Sequence, residues 1–248
     1  MDAISILRVL LRPLQLWVWR DTGRRARKLL RFAEIEADGG RDLVRAAEVT
    51  SDPLLRRLFL FHARDEQRHA DLFRGRGMAL FREIPAASRS GYRADWLAPG
   101  ERGLDDLRIE QMEAGQLLAF LHLSEKTAVT DFTSYCDVLE HDPPTRSLFQ
   151  KVLRDEAYHM DYTLSQLDRV APRRAGLALW RARLSRLWKG YVRLSVALAG
   201  LISGLILTIL YFTVLVPFAL MAKLAARREP SGWSPASPQR HASLEKQY

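Results

Sequence analysis

Hydrophobic positions along this chain sort into two apolar ends and a middle in which apolar stripes recur at helical spacing. The middle predicts four helices, over 22–49, 53–74, 104–140 and 144–170. Aspartate stands before proline at the second and fourth starts, Asp52-Pro53 and Asp142-Pro143-Pro144, as a cap followed by proline in the first turn. The stretch 75–103 is instead rich in Gly, Pro, Ser and Arg, with Pro85, Gly91, Pro99 and Gly100 breaking any long helix, so it reads as the one long connection. Short, long, short connections predict an all-α four-helix bundle over 22–171, made of two helical hairpins joined by a crossover.

From Leu194 to Ala222 no residue is charged. Such a run is long enough for one membrane helix, which needs about 20 apolar residues, and too short for two. A buried core helix is the competing reading, but core helices seldom stay apolar all round over this length. Pro217 should kink the far end. Ahead of the span, in a basic juxtamembrane helix over 172–193, lie Arg181, Arg183, Arg186, Lys189 and Arg193; after it lie Lys223, Arg227 and Arg228. That bias predicts a single-pass protein of a bacterial-type inner membrane with its large domain in the cytoplasm. The opening 1–21 is interrupted by Arg8 and Arg12 and has no small-residue cleavage site, so a signal peptide is not expected there. Two readings of it stand: an amphipathic helix on the membrane face, with Trp17 and Trp19 at the interface, or an extension packed on the bundle. The tail, 223–248, is polar and reads as loosely attached.

Composition narrows the chemistry. At 248 residues one substantial helical domain fits and a second does not. Lysine plus arginine number 38 against 29 acidic residues, a net charge of +9 that suits either nucleic acid or an anionic membrane surface. No nucleic-acid motif is present, and the arginines massed before the span favour the membrane. The single cysteine, Cys136, excludes an intrachain disulfide and every multi-cysteine zinc or iron–sulfur site. A metal here must be held by Glu, Asp and His.

Residues 64–71 read RDEQRHAD and residues 154–161 read RDEAYHMD, and in both copies the Asp-Pro pair stands fourteen residues before the glutamate. The two hairpins are therefore an internal duplication. Each repeat carries Glu-x-x-His, Glu66 with His69 and Glu156 with His159, and residues three apart share a helix face and can bind one ion through oxygen and nitrogen. One such pair is ordinarily a solvated polar face; two at matching places, each with a glutamate on its partner helix, form a ligand set. In the first hairpin Glu36 shares its side with Leu29, Phe32, Gly39, Gly40 and Leu43, whereas Glu34 shares its side with Arg31, Asp38, Arg41 and Arg45, so Glu36 points inward. In the second, Glu125 lies with Leu118, Leu121, Ala128, Val129 and Phe132, an apolar stripe in which an unpaired carboxylate is costly. Thirty residues separate Glu36 from Glu66 and thirty-one separate Glu125 from Glu156.

Over 22–170 this pattern resembles the ferritin-like di-iron carboxylate superfamily, which includes rubrerythrins, bacterioferritins and the ubiquinone-biosynthesis hydroxylases. The resemblance implies two iron ions, with manganese or a mixed pair as variants. It implies that Glu66 and Glu156 bridge them, that Glu36 and Glu125 are terminal ligands, and that His69 and His159 each hold one ion. Asp65 and Asp155 resemble the family's aspartates that accept a hydrogen bond from a ligand histidine across the bundle. The alternative for them is a surface ion pair with Arg64 or Arg154. Tyr135 and Tyr162 either adjoin the site or are core aromatics, and His62 and His122 are supporting or structural. Glu110 and Glu113 belong to the surface.

One cysteine leaves no room for a rubredoxin-like module, and no Gly-rich dinucleotide fingerprint occurs, so electrons must come from an external donor or reductase. The other expected partners are membrane lipids and, as an assembly, a homodimer or membrane complex, without nucleic acid. Three functions follow as expectations: an oxygenase or oxidase activating dioxygen or peroxide on a lipophilic substrate; a ferroxidase or peroxidase of the rubrerythrin and ferritin type; and a non-enzymatic membrane scaffold, which the complete six-residue set disfavours.

Overall fold

The computed structural model of the chain describes residues 3–85 and 109–226, with side chains from Arg12 to Ala225. The described residues form helices joined by short connections, with no strand among them. Gly91, Pro99 and Gly100 of the expected connection, the expected first turn of the third helix from Leu104, the side chain of Arg8, and the tail from Arg227 lie outside the described residues.

The helices are α1 (Ala3–Arg20), α2 (Thr22–Val49), α3 (Pro53–Glu83), α4 (Ala114–Val138), α5 (Pro143–Val170), α6 (Ala175–Leu210) and α7 (Val216–Ala226). Aspartates open three of them. Asp21 Oδ1 accepts the Arg24 N–H (2.7 Å) at α2, Asp52 accepts those of Leu54 and Leu55 (2.9 and 3.2 Å) at α3, and Asp142 that of Thr145 (3.2 Å) at α5. Each satisfies amide donors that a helix start leaves unpaired, and proline follows where no amide is needed.

Two expectations change. Helix α3 runs on to Glu83 through Gly75 and Gly77, where a connection was expected. Gly77 is a packing residue: a Cβ there would lie 2.8 Å from Leu30 Cγ, so its absence lets α2 and α3 close together. The helix ends at Ile84, which precedes Pro85 and takes the extended backbone that a following proline imposes. The third helix begins later than expected, at Ala114, after a short 3₁₀ turn over Ile109–Gln111.

Helices α2 and α3 form one antiparallel hairpin and α4 and α5 the other. Their inner faces make two apolar clusters, one centred on Trp19, Phe32, Phe73, Phe132, Tyr135 and Phe149, the other on Leu43, Leu55, Phe59, Leu118, Leu121 and Leu167. Trp19 of α1 is 1 % exposed and meets Phe149 edge-on (5.3 Å) and Tyr135 (4.8 Å). The end of α1 is thus part of the bundle core, so for Trp19 the packed reading holds over the interfacial one; Trp17, under the Arg24 guanidinium at 3.9 Å, stays exposed.

Residues from Leu187 onward form a unit of their own. The stretch Ala175–Ala225 contains one helix long and apolar enough to cross a membrane, and none of its most apolar window is buried against protein. Near Pro217 the helix widens into a π turn over Tyr211–Leu215, with the Val216 N–H donating to the Tyr211 carbonyl. Proline has no N–H for the carbonyl four residues back, and the wide turn absorbs that mismatch.

Candidate metal centre

Midway along the bundle the two apolar clusters are separated by a layer of carboxylates and imidazoles. Gly40 allows it to form on the first hairpin: a Cβ there would meet the Ala63 carbonyl at 3.2 Å and Glu66 Cβ at 3.3 Å. With glycine in place, Glu36 of α2 comes beside Glu66 of α3. From the other hairpin, α4 brings Glu125 and α5 brings Glu156 and His159. Exposure is 9 % for Glu36, 6 % for Glu66, 7 % for Glu125 and 2 % for Glu156, and nil for His69 and His159.

Two groups of ligand atoms emerge, each with all members within 4.8 Å of one another and each able to hold a metal ion. One is Glu36, Glu66, His69 and Glu156; the other is His62, Glu66, Glu125 and His159. Glu66 belongs to both. All six residues singled out from sequence are brought together, whereas Glu34 turns away to pair with Arg74 (3.2 Å).

The histidines are oriented reciprocally across the hairpins. His69 Nε2–H donates to Asp155 Oδ2 (3.1 Å), and His159 Nε2–H to Asp65 Oδ2 (3.4 Å). With Nε2 so engaged, Nδ1 of each ring faces the carboxylates, and both Nδ1 atoms and Glu156 Oε1 are buried without a hydrogen-bond partner. Buried polar atoms are nearly always satisfied; His69 Nδ1 facing Glu156 Oε1 at 3.3 Å and His159 Nδ1 facing Glu66 Oε1 at 3.8 Å, in the two separate groups and without a hydrogen bond, fit a metal ion in each. The arginine at the aspartates is Arg68, neither Arg64 nor Arg154: its Nη2 bridges Asp65 (2.9 Å) and Asp155 (3.1 Å).

Electrostatics point the same way. Among the described residues the ion-pair partners of Glu66, Glu125 and Glu156 are all histidines. Burial, reinforced by the neighbouring Glu66, holds the Glu36 carboxyl well above its ordinary range; burial and Glu156 do the same to Glu125. Burial lifts Glu66 to about 8 even though a hydrogen bond with Glu36 opposes it. Burial would lift Glu156 too, but the close approach of His69 (3.3 Å) and Glu125 outweighs it and brings it down to about 2. Burial keeps His62 and His159 neutral, at about 4 and about 3. Four buried carboxylates carry up to four negative charges, which two divalent ions would balance.

Of the remaining residues, Tyr162 adjoins the site through His62, its hydroxyl 2.8 Å from His62 Nδ1. Tyr135 does not adjoin it but is the core aromatic of the two alternatives, packing among Trp19, Phe132 and Phe149 on its side of α4. His122 Nδ1–H donates to the Met160 carbonyl (3.0 Å), a structural role. Glu110 is exposed and paired with Arg45, and Glu113 is exposed. Sequence reasoning missed His62 as a member of the ligand group; its position four residues before Glu66, on the same face, was the available signal. A cavity of about 200 Å³ adjoins the carboxylates, walled by Ile35, Gly39 and Leu43 of α2 and by Phe120, Leu121 and Ala128 of α4. Beside it, Arg186 Nη2 donates to the Phe120 carbonyl (3.1 Å) and Ser124 Oγ (2.5 Å).

Comparison with protein-family models, with curated proteins and with solved structures returned no match. The functional reading therefore rests on the geometry.

Proposed function

We propose that this chain is a membrane-anchored oxidoreductase of the ferritin-like di-iron type, using a pair of metal ions to activate dioxygen or peroxide on a lipophilic substrate. The observation that carries the reading is the pair of bare, inward-facing Nδ1 atoms of His69 and His159, each fixed by a carboxylate behind it, above four carboxylates with no lysine or arginine among their ion-pair partners in the described residues. Leaving so many ionisable groups buried without cations is costly, and filling the layer with apolar side chains would be the simpler way to a stable bundle.

The residues divide the work. Glu66, which belongs to both ligand groups, would join the two positions, while Glu36 and Glu156 would close one and Glu125 the other. Asp155 and Asp65 fix the tautomers of His69 and His159, so that each ring offers an unprotonated nitrogen. Two ferrous ions, or an iron and manganese pair, supply the electrons for reducing the oxidant when bound. Ile35, Leu43, Phe120 and Leu121 give the adjoining cavity apolar walls, which suits dioxygen and an apolar substrate. The apolar helix supports membrane attachment, and the surrounding positive charge supports a cytoplasmic bundle.

The test is oxygen uptake by anaerobically iron-loaded protein in detergent. Uptake in proportion to protein that depends on an added reductant and a quinone or lipid supports the proposal. Uptake driven by ferrous iron alone, with no organic product, replaces it with iron oxidation. Uptake unchanged in the double variant Glu66→Gln, Glu156→Gln contradicts both.

A further inference from the structure

The duplication that builds the site is broken at one inward-facing position. Four residues before Glu66 stands His62; four residues before Glu156 stands Val152, fully buried in the aromatic cluster. The two ligand groups therefore differ. One offers three carboxylates and one imidazole, the other two carboxylates and two imidazoles.

His62 is built into the second group. It is 1 % exposed and lies face to face with His159, centroids 3.7 Å apart and planes 28° apart, so the two rings present their edges to one region. Its Nε2 lies 2.9 Å from Glu66 Oε1 and 3.6 Å from Glu125 Oε1. Its Nδ1 lies 2.8 Å from the Tyr162 hydroxyl, the same arrangement in which Asp155 and Asp65 stand behind the other two histidines. If Nδ1–H donates to that hydroxyl, Nε2 carries a lone pair directed at two carboxylates, an arrangement that a cation resolves.

Resting on the two-ion reading above, we propose that His62 is a seventh ligand, bound through Nε2 and positioned by Tyr162, and that it makes the two metal positions unlike. The position with two imidazoles takes the first ion, because imidazole binds divalent ions late in the first transition row better than a carboxylate does; the position with three carboxylates favours harder ions such as manganese.

The test uses full-length chain in detergent, stripped of metal and titrated anaerobically with Co(II), together with metal-edge X-ray absorption, in which imidazole gives a distinct multiple-scattering signal. Wild type should bind two ions in two resolved steps with three imidazoles per pair. His62→Gln, which keeps a hydrogen-bonding group of similar size, should lower that count to two and weaken the first step by at least the tenfold to hundredfold that follows loss of an outer partner. Tyr162→Phe should weaken the first step while leaving the count at three. Two ions with two imidazoles in wild type would overturn the role of His62 while leaving the two-ion site standing, whether or not the His62 variant folds. Absence of stoichiometric binding in wild type would overturn both.

Discussion

The aromatic layer around Trp19 and Phe149 and the carboxylate layer around Glu66 are buried to a similar degree in one bundle, yet they are opposite solutions to filling a core. In the first, six rings meet at centroid distances of 4.8 to 6.5 Å and nothing needs a charge to balance it. In the second, acidic groups sit side by side and burial pushes three of them towards the protonated form. The first layer stabilises the bundle as it stands; the second could hold metal ions, and on the proposed reading is complete only with them. A bundle that already has an apolar way to pack, and still keeps four carboxylates in its middle, is on the proposed reading organised around the ions they could hold.

That contrast can be broken from either side. The largest effect is expected at the aromatic layer: Phe149→Ala should cost about 4 kcal/mol, read by chemical denaturation, without changing metal content. Next is the polar clamp at that end of the bundle, where the buried Asp142 pairs with Arg25 (2.9 Å) and Arg76 (2.8 Å). Asp142→Ala leaves Arg25 buried and unpaired and should cost about 3 kcal/mol. Burial alone would raise the Asp142 carboxyl, but hydrogen bonds from Thr145 and Arg76 outweigh it and hold it below its ordinary value. Its contribution is therefore present above the unfolded carboxyl's pKa and lost as pH falls through the folded one, so the variant should show a shallower acid limb in an unfolding series. Gly77→Ala, forcing a methyl against Leu30, should cost about 2 kcal/mol and lower the melting temperature whether or not metal is present. The smallest effect has the opposite sign. In metal-free protein at mildly alkaline pH, Glu125→Gln should gain about 1 kcal/mol, since it removes a buried group whose ionisation burial opposes, while metal binding is lost. A loss of stability there would place the carboxylate layer in the same class as the aromatic one.

Much of this was legible in the sequence because the chain states it twice. The repeat located both Glu-x-x-His pairs and the aspartates beside them, and the apolar company of Glu36 separated it from Glu34. Helix α2 has the bounds its pattern predicted, because Asp21 caps its start and a short turn to Asp52 follows its end. What the sequence hid was whatever occurs once or depends on a neighbour. The stretch from Gly75 read as a connection because the value of Gly77 lies in the approach of α2, which composition does not carry. Trp19 was left between two readings because a tryptophan between arginines looks alike on a membrane and at the lid of a core. His62 and Arg68 each stand in only one copy of the repeat, so duplication gave no signal for them, and Tyr135 faces the aromatic side of α4 at a spacing that allowed the other.

The central claim, that the carboxylate layer is a two-metal site, is tested most directly by metal analysis of the full-length chain purified in detergent from iron- and manganese-supplemented medium. The account predicts two transition-metal ions per chain in wild type and a loss of both in the double variant Glu66→Gln, Glu156→Gln with the helical content unchanged. Wild type without stoichiometric metal, or a double variant that retains it, would contradict the account.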